Sequence, residues 1–122
     1  MKIRIEDNSV RIRLRKSEVS KLSEEGCLCA TTFFAEQLFE YCLEADPGID
    51  DLKASFAGGK ITVRLPEPWI QTWPDSPKVG FETSFNAGTS NLHILIEKDF
   101  VCLDRDLETQ KDQFAHPKQG KI

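Results

Sequence analysis

Apolar and charged residues alternate across the first fifteen positions, and a period of two is the repeat of a β-strand with one buried face. Ile3 and Ile5, then Val10, Ile12 and Leu14, supply the apolar members, with Lys2, Arg4, Arg11, Arg13 and Arg15 between them. Asp7-Asn8 separates the two runs, tolerates positive φ and suits a two-residue hairpin loop. Such a loop sets Ile5 opposite Val10 and Ile3 opposite Ile12, with Arg4 opposite Arg11 and Lys2 opposite Arg13 on the other face. The expected product is a hairpin with one apolar face and one basic ladder.

Downstream, Ser17 offers an N-cap, Val19 and Leu22 share a helical face, and Gly26 can end the turn, so 17–25 is expected to be a short helix. Residues 27–34 read as a strand. The segment 35–45 is ambiguous: the Glu36, Glu40, Glu44 spacing suits a helix, whereas Phe39, Tyr41 and Leu43 alternate as in a strand. A second hairpin is expected over 52–57 and 60–65, turned by Gly58-Gly59. Pro66-Glu67-Pro68 then leads into a short helix carrying Trp69, Ile70 and Trp73, and two further strands flank Asn86-Ala87-Gly88.

Laying the chain on itself 51 positions along, without gaps, puts the Asp7-Asn8 turn on Gly58-Gly59 and Val10, Ile12 and Leu14 on Ile61, Val63 and Leu65. Tyr41, Leu43 and Ala45 fall on Leu92, Ile94 and Ile96, which tips 37–45 toward a strand. The expectation is an α+β, mostly β fold: a possible duplication of a ββαββ unit over 1–48 and 52–99, within one domain spanning 1–103. Eight short strands with two short capping helices should form an antiparallel, closed or half-closed, barrel-like sheet, because closure removes exposed edges. Beyond Leu103 the pattern stops, and 104–122 is expected to be an extended or disordered tail from which Phe114 docks onto the body.

With 122 residues, 39% hydrophobic and 30% charged, the chain is in the ordinary globular class. No apolar run reaches the length of a membrane span, and charges stand in the N-terminal segment where a signal peptide needs apolar residues. A cytoplasmic location is expected. The net charge of −4 argues against broad nucleic-acid affinity. That charge is uneven, however: residues 1–22 hold seven basic and three acidic groups.

Four cysteines and two histidines supply enough ligands for a metal, but zinc knuckles use pairs two to four residues apart, and Cys27 and Cys29 would share one strand face ~7 Å apart. The reading is free thiols in a reducing cytosol, with no metal and no cofactor. His93 falls on an outer strand face and His116 in the tail, neither beside a nucleophile motif. Phosphate-cradling glycine loops are absent, so no catalytic residue is assigned.

Two candidate surfaces remain. One is the basic ladder of Lys2, Arg4, Arg11 and Arg13, joined by Arg64, facing an acidic protein partner or an anionic small molecule. Glu40, Glu44, Glu82 and Glu97 could hold a divalent metal opposite it, but cross-strand ion pairs on a solvated face are the expectation; like charges directly opposite repel, so acids from neighbouring strands must intervene or a partner must supply them. The other is the Trp69/Trp73 end, whose first reading is a core seal. Arg11-Ile12-Arg13-Leu14-Arg15 resembles a strand of the triphosphate tunnel enzymes, but those open with alternating glutamates where this chain has basic residues, and they turn their charges inward.

Met1-Lys2-Ile3-Arg4-Ile5 with Asn8-Ser9-Val10-Arg11-Ile12-Arg13-Leu14, Lys60-Ile61-Thr62-Val63, Val79-Gly80-Phe81-Glu82 and Glu97-Lys98-Asp99-Phe100-Val101-Cys102-Leu103 together resemble a family of small uncharacterised bacterial proteins, frequent in Bacteroidetes. The resemblance covers nearly the whole chain. It implies no activity, cofactor or catalytic residue. The functional expectation is therefore a binding or interaction module without catalysis, the alternative being a small enzyme or binder that holds a phosphorylated or carboxylated metabolite through Arg11, Arg13 and Arg64.

Overall fold

A computed structural model describes residues 1–100 and Phe114. Eight strands and two helices follow in the order β1 (Lys2–Glu6), β2 (Ser9–Leu14), α1 (Lys16–Glu25), β3 (Cys27–Phe33), β4 (Leu38–Asp46), β5 (Lys53–Ala57), β6 (Lys60–Pro66), α2 (Glu67–Thr72), β7 (Gly80–Ala87) and β8 (Ser90–Lys98), with one 3-10 turn at Trp73–Asp75. The alternation at the N-terminus does what period two requires. Asp7 takes φ 49° in the loop, and β1 pairs antiparallel with β2 in the expected register, Arg4 opposite Arg11 and Lys2 opposite Arg13.

The strands do not close into a barrel. They form two four-stranded sheets, ordered β1-β2-β8-β7 and β3-β4-β6-β5, each with two outermost strands. Nor are the sheets wholly antiparallel: β2 runs parallel to β8 and β4 parallel to β6, while every hairpin pair is antiparallel. Periodicity fixes which side of a strand is buried but is blind to which strand lies alongside, so the parallel inner pairs were not visible in it.

Compact packing divides the described residues into two units, Met1–Glu18 with those from Lys78 onward, and Val19–Pro77. The first holds sheet β1-β2-β8-β7, whose inner face buries Val10, Ile12, Leu14, Phe81, Ile94 and Ile96. The second holds the other sheet with α2 and most of α1, burying Val19, Leu22, Leu43, Val63, Leu65, Ile70 and Trp73. α1 starts one residue before the expected cap. The Glu18 carboxylate accepts the Arg15 backbone N–H at 2.8 Å, one half of a capping box, and the Gly26 N–H donates to the Leu22 carbonyl at the other end.

The segment expected over 37–45 is strand, running from Leu38 to Asp46. The β3–β4 hairpin runs from Cys27 opposite Glu44 to Phe33 opposite Leu38, and the β7–β8 hairpin repeats that register 53 positions on, from Gly80 opposite Glu97 to Asn86 opposite Asn91. Likewise Lys2 opposite Arg13 in β1–β2 is matched 51 positions on by Lys53 opposite Arg64 in β5–β6. Gly58 and Gly59 both sit at positive φ in that second turn, a region that glycine enters with no Cβ penalty. The expected tail, 104–122, lies outside the described residues apart from Phe114, whose backbone N–H donates to the Asp99 carbonyl at 2.9 Å.

Gly80 is required for a different reason: a Cβ there would stand 2.2 Å from the Ile96 carbonyl oxygen and 2.8 Å from Glu97 Cα. Strand β8 therefore leaves no room for a side chain at the start of β7. Gly80→Ala should cost about 1–3 kcal/mol through overpacking, read as a lower denaturation midpoint in urea. An unchanged midpoint would contradict this close approach.

Candidate functional site

The outer face of the first sheet is built in rows that cross four strands. One row is Lys2, Arg13, Glu97 and Gly80; the next is Arg4, Arg11, Leu95 and Glu82; the third is Glu6, Ser9, His93 and Ser84. Because β2 neighbours β8, the Glu97 carboxylate lies beside two arginines, accepting from Arg13 Nε at 2.8 Å and ion-pairing Arg11 Nε at 3.4 Å. Glu97 is largely covered, its side chain 16% exposed, so salt screens this shared carboxylate less than it screens the exposed Glu6. Arg4 pairs with Glu6 at 3.1 Å and Lys2 Nζ with Asp99 at 3.6 Å. A shallow groove of about 220 Å³ lies over this hairpin, lined by Lys2, Ile3, Arg4, Arg11 and Arg13. His93 sits on this outer face as expected, 2.9 Å from Glu82.

Lys2, Arg4, Arg11 and Arg13 are thus brought together, and the other expected contact residues are not part of that face. Arg64 belongs to the second unit, on the outer side of β6, 3.7 Å from Glu44. Trp73 is 1% exposed and is a core side chain, while Trp69 is half-buried. Glu40 and Glu44 do project from one face of β4, but Glu82 and Glu97 stand on the other sheet. Glu97 is one of the four candidate acids in the sequence, yet its place beside Arg11 and Arg13 depends on the parallel pairing that periodicity leaves open.

The cysteines correct the sequence reading. Cys29 and Cys42 stand directly opposite in β3–β4, Cα atoms 4.1 Å apart, and are joined as a disulfide; they are not free thiols. Their opposition follows from the hairpin register, since a loop of residues 34–37 forces it. Cys27 is an exposed free thiol two residues along the same strand face. Cys102 and His116 lie outside the described residues.

A family model described as a family of unknown function (DUF7009) matches residues 1–118. The chain belongs to that family. This agrees with the resemblance read from the sequence, and no match was found among curated proteins or among solved structures. No helix among the described residues is long and apolar enough to cross a membrane.

At the end of β8 this DUF7009 chain buries two charged residues, Lys98 at 5% and Asp99 at 6% exposure. Lys98 keeps the parity of Ile94 and Ile96, hence faces inward, and its ammonium lies 4.7 Å from the Phe114 ring centroid, a cation–π contact. Phe114 also packs edge-on against Phe100 at 6.2 Å. The docking expected of Phe114 is therefore present, on the strand end that carries the buried lysine. Burial pushes the Lys98 pKa below 10.5. Between the lowered folded pKa and the unfolded one, the unfolded chain holds a proton the folded chain has released, so this group's contribution to stability rises with pH. Wild type should therefore gain stability relative to Lys98→Met as pH climbs from neutral toward 10.5, in paired urea titrations. A pH-independent difference between the two proteins would refute the burial of this charge.

Proposed function

We propose that this protein is a non-catalytic binding module that receives an acidic segment of a partner protein on the outer face of β1-β2-β8-β7. The observation that carries the reading is the groove lined by Lys2, Ile3, Arg4, Arg11 and Arg13, which has four cations in its lining and no carboxylate. Around it Glu97 serves two arginines, while Glu6 and Asp99 serve one cation each. Arg4 stands opposite Arg11 and Lys2 opposite Arg13, and like-charged cross-strand pairs repel. A further carboxylate set among them relieves that repulsion and accepts charge-assisted hydrogen bonds.

Size supports recognition of a side chain over turnover of a metabolite. The groove is smaller than the ~300–1,000 Å³ of pockets that enclose whole small molecules. The enzymatic alternative needs Arg11, Arg13 and Arg64 around one anion, and Arg64 already has a carboxylate partner in Glu44 at 3.7 Å.

We also read 1–48 and 52–99 as copies of one ββαββ unit. The matched hairpin registers support this, as does the length agreement of β1 with β5. A bacterial cytoplasm is the setting we infer from the resemblance to small bacterial proteins, and there the Cys29–Cys42 bridge is open to reduction.

An oligoglutamate peptide titrated calorimetrically into the full chain should bind, and binding should weaken as salt is added. Arg4→Glu with Arg11→Glu should weaken it by about tenfold or more, a loss of ~1.4 kcal/mol, whereas Arg64→Gln should leave it unchanged. Peptide binding that ignores the Arg4/Arg11 reversal, or none at all, would remove this reading. Binding of inorganic phosphate without the peptide would replace the protein partner by a small anion.

A further inference from the structure

The outer face of the second sheet holds a cluster of different chemistry. Cys29 and Cys42 share a row with Thr62 and Ser55, and Glu40 lies two residues before Cys42 on the same side of β4. The two sulfurs and a Glu40 carboxylate oxygen all lie within 4.8 Å of one another. Cys29 is exposed, so the cluster opens to solvent, whereas Cys42 is fully buried.

We propose that Cys29, Cys42 and Glu40 form a redox-gated site for a thiophilic divalent cation of the zinc class, closed while the two sulfurs are bonded and open once they are reduced. Reduction is balanced by a dithiol: it gives two electrons and two protons, the Cys29–Cys42 bond becomes two thiols, and the dithiol becomes a disulfide. Each thiol then releases its proton as its sulfur takes the cation. Two thiolates and one carboxylate are a ligand set of the kind zinc takes, and three protein ligands leave a fourth tetrahedral position for water or a further ligand.

Three observations support the geometry. Direct opposition in an antiparallel pair keeps both sulfurs at one spot after the bond opens, because the β3–β4 ladder and not the bridge sets the spacing. Glu40 is held by neighbours that aim it across the strands: Thr31 Oγ1 donates to it at 3.3 Å and Lys60 Nζ lies 3.9 Å away. Lys60 also offsets the single negative charge left when a divalent cation meets three anionic ligands. Finally, the same lattice diagonal is already bridged in the first sheet. There Glu82 stands opposite Leu95 with His93 two residues before it, as Cys29 stands opposite Cys42 with Glu40 two residues before it, and Glu82 and His93 touch at 2.9 Å. Side chains at those two positions therefore reach each other across the pleat.

The test uses the full chain carrying Cys27→Ser and Cys102→Ser, reduced with a phosphine or left oxidised, and titrated anaerobically with Co²⁺. The reduced protein should take up one equivalent, with thiolate-to-cobalt charge transfer in the near ultraviolet and intense tetrahedral d–d bands; the oxidised protein should take up none. Zn²⁺ should displace the cobalt and bleach both bands. Cys29→Ser, at an exposed position that the fold tolerates, should abolish the charge-transfer band, and Glu40→Gln should weaken uptake by about tenfold or more. No uptake by the reduced protein, or uptake that survives Cys29→Ser, would overturn the proposal. So would equal uptake by the oxidised form.

Discussion

The parallel pairing of β2 with β8, and of β4 with β6, is the contact on which both sheets rest. A two-stranded hairpin is marginal in water, and each sheet consists of two such hairpins fused through their inner strands. Fusion gives an inner strand hydrogen-bonded neighbours on both sides, so its backbone is satisfied while its apolar side chains are excluded from water. The least exposed strand residues sit there: Ile12, Leu14, Ile94 and Ile96 in one sheet, Leu43, Val63 and Leu65 in the other. Ser9 pairs with His93 across nearly the whole described chain, and closure entropy rises only logarithmically with loop length, so this distance is affordable.

The same pairing decides the chemistry. It places Glu97 against Arg11 and Arg13, and Glu44 against Arg64, so each basic inner strand meets a carboxylate from the neighbouring hairpin. Without it Glu6 would be the one carboxylate of that hairpin set against the Arg4–Arg11 and Lys2–Arg13 oppositions.

Local information was legible in the sequence to the extent that it is local. The β1–β2 register, the inward parity of Ile94 and Ile96, the outward parity of His93 and the glycine turn at 58–59 all follow from alternation and turn chemistry. The strand over 38–46 was recoverable only by comparison with the second half, because its helix formers and its alternation conflict. Two things were not legible for a physical reason. Strand neighbours depend on tertiary packing that leaves no periodic trace, which is why a closed or half-closed antiparallel sheet is the expectation and two four-stranded mixed sheets are found. The disulfide was hidden by a compartment argument: free thiols follow from an assumed reducing cytosol, whereas the opposition of Cys29 and Cys42 follows from the loop between the strands.

Matched positions in the two sheets separate what the architecture needs from what it permits. Lys2, Arg13 and Glu97 occupy the same lattice row as Lys53, Arg64 and Glu44, with an arginine–glutamate ion pair in each at 2.8 and 3.7 Å. A row that recurs with the same charges has a local explanation in neutralising the basic inner strand next to the start of a helix. The adjoining row does not recur: Arg4, Arg11, Leu95 and Glu82 on one sheet stand where Ser55, Thr62, Cys42 and Cys29 stand on the other. Both rows lie on outer faces above the same kind of buried core, so core packing does not dictate the difference. Particular chemistry is best sought there, in a cationic groove on one sheet and a paired-sulfur cluster on the other.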